Sequence, residues 1–207
     1  MNAGLAESRE NLALCFKGER TYLHGTDVYD AAVHCLRARW PGIEGRCRFA
    51  FHRVATRPLT VAIVGYGSGA RPPGCVAEMH VTGGGPEATA WFTERAGAVA
   101  GRYPYDEDAV VRDCALLDRE IAMEVPARAR PIEALVAMTK RLHYSVAKPD
   151  RGRWMFVRLD LKRLLRDDDA RGMRVRLIGE PRPTLSRADV AVRGEPLGAI
   201  YFAVVAA

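Results

Sequence analysis

The 207-residue chain is 48% hydrophobic and 27% charged, the balance of a globular protein with room for one domain or two small ones. No apolar run approaches the roughly 20 residues of a membrane-spanning helix. The formal charge of +6 admits a polyanionic partner. However, the basic residues are scattered, only four of the 31 are Lys, and no block forms, which argues against nucleic acid as a partner.

The N-terminus, MNAGLAESRENLALCF, carries acidic residues and lacks a basic-then-apolar signal pattern, which reads as cytoplasmic. Cys15, Cys35, Cys47, Cys75 and Cys114 include no Cys-x-x-Cys pair. They suggest buried reduced thiols, without a disulfide framework or a metal site. LALCFKG (Leu12 to Gly18) is a candidate strand. DVYDAAVHCLRARW (Asp27 to Trp40) follows as a helix, with Val28, Ala32, Cys35 and Leu36 on one side. Thr26 can cap it, Asp27 and Asp30 suit its positive end, and Pro41-Gly42 stops it.

GRCRFAFHRV (Gly45 to Val54) alternates, with Cys47, Phe49 and Phe51 opposite Arg46, Arg48 and His52. TVAIVGYGSGARPPG (Thr60 to Gly74) has the form of a dinucleotide-binding fingerprint, Gly65-x-Gly67-x-x-Ala70. The fingerprint needs a helix opening at its second glycine. Arg71-Pro72-Pro73-Gly74 stops one before its second turn. The next segment, CVAEMHV (Cys75 to Val81), reads as a strand, so strand, glycine-rich loop and strand are expected. Ser68 sits in that loop without a nucleophile elbow, and Glu78 and His80 share a face better read as solvated than as metal-binding.

About Glu94 to Asp113 is a connector. REIAMEV (Arg119 to Val125) is a candidate strand. PIEALVAMTKRLHYSV (Pro131 to Val146) is a helix with Pro at its first position and Ile132, Leu135, Val136 and Leu142 on its apolar face. His143 and Tyr144 read as a core or boundary pair. Val157, Leu159 and Leu161 then oppose Arg158, Asp160 and Lys162, and Met173, Val175 and Leu177 oppose Arg174 and Arg176. Asp167-Asp168-Asp169 reads as an exposed turn.

Three matches in constant order reveal a repeat. Gly45–Val54 aligns with Gly152–Leu161, Ala77–Gly83 with Ala188–Gly194, and Pro86–Phe92 with Pro196–Phe202, at offsets of 107, 111 and 110. Each half reads strand, helix, then three or four antiparallel strands. This pattern resembles the double hotdog architecture, an α+β fold of two tandem units, each a curved antiparallel sheet wrapped around a central helix. The expected division is residues 1–95, a connector over 96–112, and 113–207.

The resemblance implies an enzyme acting on acyl thioesters of coenzyme A or acyl carrier protein, as hydrolase or hydratase/dehydratase, or else a non-catalytic module that binds an acyl chain or carrier protein. It implies no cofactor, allows a homo-oligomer, and places a site at the start of the central helix, where backbone N–H groups and the dipole polarise a thioester carbonyl. KGERTYLHGTDVYDAA (Lys17 to Ala32) occupies that place. His24 and Asp27 are then the candidates for proton transfer, and Tyr22, Gly25 and Asp30 for substrate contact. The His-Gly-Thr-Asp order is similar in placement to the histidine loop of hydroxyacyl-thioester dehydratases, but departs from their His-Phe-Pro pattern and from the His-Val-Asn-Asn of one thioesterase group. In the second half, Arg128 and Pro131 stand where His24 and Asp27 stand, so Arg128 and Arg130 are candidates for binding carrier phosphates.

Overall fold

The computed structural model describes residues 8–67, 69–125 and 128–206. Ser68 lies outside the described residues. The chain divides into two compact units, Met1–Tyr105 with Lys162–Leu164, and Asp106–Leu161 with Leu165–Ala207.

In chain order the first unit holds β1 (Ser8–Asn11), β2 (Phe16–Lys17), α1 (Gly25–Arg39), β3 (Arg46–Phe51), β4 (Leu59–Gly65), β5 (Cys75–Thr82), β6 (Ala88–Glu94) and β7 (Arg102–Tyr103). Its antiparallel sheet runs β1-β4-β6-β5-β3. β2 and β7 form a separate parallel pair. The expected strand over Leu12–Gly18 is thus divided. β1 ends before it, and only Phe16 and Lys17 pair, with Arg102 and Tyr103.

α1 buries the expected stripe of Val28, Ala32, Cys35 and Leu36, together with Tyr29 and Val33. Tyr29 meets Phe49 of β3 edge-on at 5.7 Å, and Phe49 meets Phe92 of β6 at 6.2 Å, so the helix packs on the inner face of its own sheet. The helix opens two residues earlier than its sequence pattern suggests. His24, in extended backbone, is the residue before the helix, and Thr26 lies inside the first turn. Thr26 does not cap because its hydroxyl is engaged elsewhere.

Among the described residues between β4 and β5 there is no helix; Gly67, Gly69 and Gly74 stand at positive φ, which glycine allows, and the paired prolines disfavour a helix.

The second unit holds α2 (Glu107–Val111), β8 (Ala115–Leu117), β9 (Glu120–Met123), α3 (Pro131–Val146), β10 (Arg153–Leu161), β11 (Met173–Ile178), β12 (Ser186–Val192) and β13 (Glu195–Val205). Its antiparallel sheet runs β10-β13-β12-β11-β9-β8. α3 spans the expected residues with Pro131 at its start, and buries Ile132, Leu135, Val136 and Leu142. α2 docks on it through Glu107, whose carboxylate accepts from Lys140 at 2.5 Å.

Met173, Val175 and Leu177 point inward as the alternation requires. β10 departs from its pattern. Trp154 and Phe156 are buried, then Leu159 and Leu161, while Val157 is only half-buried. A bulge between Phe156 and Arg158 shifts the register against β13 and moves the buried set by one residue. On the wet faces Arg174 pairs with Glu120 and Glu124, Arg187 with Asp189, and Arg193 with Asp168.

The repeated glycines have one physical reason. A Cβ on Gly45, just before β3, would stand 2.2 Å from the Gly83 carbonyl oxygen at the end of β5. On Gly152, before β10, it would stand 2.5 Å from the Val205 oxygen at the end of β13. In both units the strand after the helix begins in close contact with a neighbouring backbone, and only glycine fits. The neighbours differ, however. β3 pairs with β5, whereas β10 pairs with β13. The hairpins β5–β6 and β12–β13, aligned by the repeat, therefore enter their sheets in opposite order.

Candidate active site

The polar cluster of the first unit forms where the β2–β7 pair meets the first turn of α1. Lys17, on β2, is fully buried. Its ammonium donates to Thr26 Oγ1 at 3.1 Å and to Asp27 Oδ1 at 3.3 Å. It also lies over the Tyr105 ring, 4.1 Å from the centroid. Tyr103, on β7, donates its hydroxyl to Asp27 Oδ2 at 2.7 Å. Both carboxylate oxygens of Asp27 are therefore engaged, one by a cation and one by a phenol. A buried ammonium needs such partners, since desolvation alone would make it costly.

His24 is buried at the start of α1, and its carbonyl accepts from the N–H groups of Asp27 and Val28. Its Nδ1 lies 2.7 Å from Thr26 Oγ1. Its ring stands 5.8 Å from that of Tyr105, over which Arg20 also lies at 5.3 Å. Thr26 is thus the hinge of the cluster. It meets Lys17 on one side and His24 on the other. No side chain caps the helix, and among the described residues the N–H groups of Gly25 and Thr26 have no partner.

His24 and Asp27, the residues singled out for proton transfer, fall into one cluster, joined through Thr26 and Lys17. Tyr22 is buried just before it, Gly25 is the first residue of α1, and Asp30 lies three residues beyond Asp27, half-buried. Arg128 and Arg130 belong to the second unit, both exposed near the start of α3. Arg130 is committed locally. Glu133 accepts from its backbone N–H at 3.0 Å and from its guanidinium at 2.6 Å. Sequence reasoning missed Lys17, Thr26 as a linker, Tyr103 and Tyr105. Tyr103 and Tyr105 lie in the segment read as a connector, and a lysine is ordinarily read as exposed.

The second unit carries a different buried polar pair. His143 of α3 is fully buried, with Nδ1 2.8 Å from the Thr139 carbonyl and Nε2 2.8 Å from Ser186 Oγ on β12. Its ring is stacked on Phe202 at 5.1 Å and tilted against Trp154 at 4.7 Å. Burial pushes its pKa below the ordinary imidazole value, and the bond to Thr139 offsets part of that. His143 is a satisfied core histidine. Among the described residues no group of three His, Cys, Asp or Glu is placed to hold a metal ion. No described helix is long and apolar enough to cross a membrane.

No family model and no curated protein matches the sequence. Solved structures do match the fold. A thioesterase II from Thermobifida fusca aligns over 98% of this chain and 94% of its own, at 13% identity and a TM-score of 0.52. The tesB protein of Mycobacterium avium subs paratuberculosis aligns over 98% and 93%, at 11% identity and 0.51. The dehydratase domain of a mycocerosic acid synthase-like polyketide synthase aligns over 96% and 90%, at 13% identity and 0.51. With the two helix-and-sheet units described above, the likeness leads to one conclusion about architecture: the chain has the hotdog fold, largely antiparallel sheet with few helices, and its two compact units are consistent with a tandem arrangement.

Proposed function

We propose that this protein processes acyl thioesters of coenzyme A or acyl carrier protein, by hydrolysis or by hydration/dehydration, at the start of α1. The observation that carries the reading is the buried Lys17–Thr26–Asp27–His24 cluster, set against a helix start whose first N–H groups keep their donors. Buried polar groups of this kind are costly to a fold and concentrate at functional sites. The matching structures include a thioesterase II and a dehydratase domain, which supports an acyl-thioester substrate class. His24 is the group proposed to meet the reacting acyl group, with Asp27 acting through the network that holds it. Gly25 lets the carbonyl approach the helix start, where the dipole stabilises developing negative charge. Tyr22 and Asp30 are proposed to shape the acyl side. Arg128 and Arg130 are proposed for phosphates of the carrier, Arg130 after exchange of its bond to Glu133.

The test is a mass-resolved time course with saturated, enoyl and hydroxyacyl coenzyme A esters, run beside His24→Ala and Asp27→Ala. Loss of the acyl group identifies a thioesterase. Gain or loss of one water identifies a hydratase or dehydratase. Either change should fall by about 100-fold or more in His24→Ala. Unchanged esters throughout would overturn the catalytic reading and leave an acyl-chain or carrier-binding module.

A further inference from the structure

The protonation pattern of the cluster follows from counting donors. Thr26 is fully buried, and among the described residues its hydroxyl meets two groups, Lys17 Nζ and His24 Nδ1. An ammonium has hydrogens and no lone pair, so toward Lys17 the hydroxyl oxygen can only accept. Its single hydrogen then has one acceptor left, which is His24 Nδ1. If Nδ1 carried a hydrogen instead, Thr26 Oγ1 would receive two donors while its own hydrogen lay buried and unpaired, which a fold disfavours. The chain Lys17 N–H to Thr26 O–H to His24 Nδ1 runs in one direction, and each bond polarises the next.

From this the geometry points to His24 as a neutral imidazole whose hydrogen sits on Nε2. Lys17 and Thr26 are the positioning residues that hold it there. A second proton on Nδ1 is opposed twice, by the hydroxyl hydrogen already aimed at it and by the buried ammonium beyond. Charged and titratable groups about the cluster include Lys17 from β2, Asp27 from α1, Tyr103 from β7, Tyr105 after it, and Arg20 before the helix. Nε2–H is then a hydrogen-bond donor, and Nε2 has no lone pair with which to act as a base. His24 donates to the acyl oxygen, as a neutral histidine can polarise a carbonyl. The ligand assignment rests on the acyl-thioester reading, whereas the tautomer does not.

Two-bond nitrogen–hydrogen correlation NMR on protein labelled with ¹⁵N-histidine tests this without substrate, the His24 signals being assigned by their loss in His24→Gln. Nε2–H is expected in the wild type at neutral pH. Thr26→Val should lose that single pattern, and Thr26→Ser should restore it. An Nδ1–H tautomer or an imidazolium in the wild type would overturn the assignment, as would an unchanged pattern in Thr26→Val. If a thioester is turned over, Thr26→Val should lower kcat about tenfold or more with little change in KM, a fraction of the 10²–10³ of a lost oxyanion donor. An inert ester panel beside a confirmed tautomer would refute the enzyme reading and leave the protonation state standing.

Discussion

At the scale of single residues the two buried histidines behave differently for stated reasons. Burial holds His143 toward its neutral form in the fold, with Thr139 accepting from Nδ1 and Nε2 left to accept from Ser186. Its pKa is lowered by burial, so the unfolded chain takes up its proton more readily. The stability this group contributes is present above the unfolded value near 6.5, and is lost as pH falls toward and through the folded value, at a limiting slope of about 1.4 kcal/mol per pH unit. Urea midpoints from pH 7.5 to 5 should therefore fall more steeply for the wild type than for His143→Gln. Parallel curves would contradict the burial argument. His143 was legible in sequence as a core or boundary residue because it lies on a helix with a clear apolar face. Lys17 was not. Its burial depends on a carboxylate ten residues later and on two tyrosines more than eighty residues later, and no local pattern encodes that meeting.

At the scale of elements, the close strand starts give the sharpest expectation. Gly45→Ala and Gly152→Ala each push a Cβ into a backbone carbonyl that cannot swing away as a side chain would. Each should cost about 1–3 kcal/mol or more, read as a shift in denaturant midpoint, and a loss under about 0.5 kcal/mol would mean the strands can part freely. Elements with local signals were legible. α3 begins at Pro131 because proline fixes the first helical φ, and β11 alternates without interruption. α1 begins earlier than its pattern because Thr26 spends its hydroxyl on Lys17 and His24 and does not cap. The bulge in β10 was invisible, since Val157 continues the apolar alternation and only the pairing with β13 moves it off the inner face.

At the scale of the whole chain, the repeat revealed that the fold is built twice, because matching strands keep matching glycines and apolar faces. It did not reveal strand order, which depends on pairings across long stretches of chain. That order has a consequence in time. β11, β12 and β13 pair in succession, each with the strand next along the chain, so two hairpins in a row close short loops. β4 instead pairs with β6 and leaves β5 to the far side, and its other neighbour is β1, with Ser8 opposite Ile63. Closing longer loops costs more entropy before any contact repays it. Pulse-labelled hydrogen exchange during refolding should show amides of β11–β13 protected before those of β4, and simultaneous protection would reject that order. The half that carries the buried lysine would then be the slower to assemble, and its site would be among the last parts of the molecule to exist.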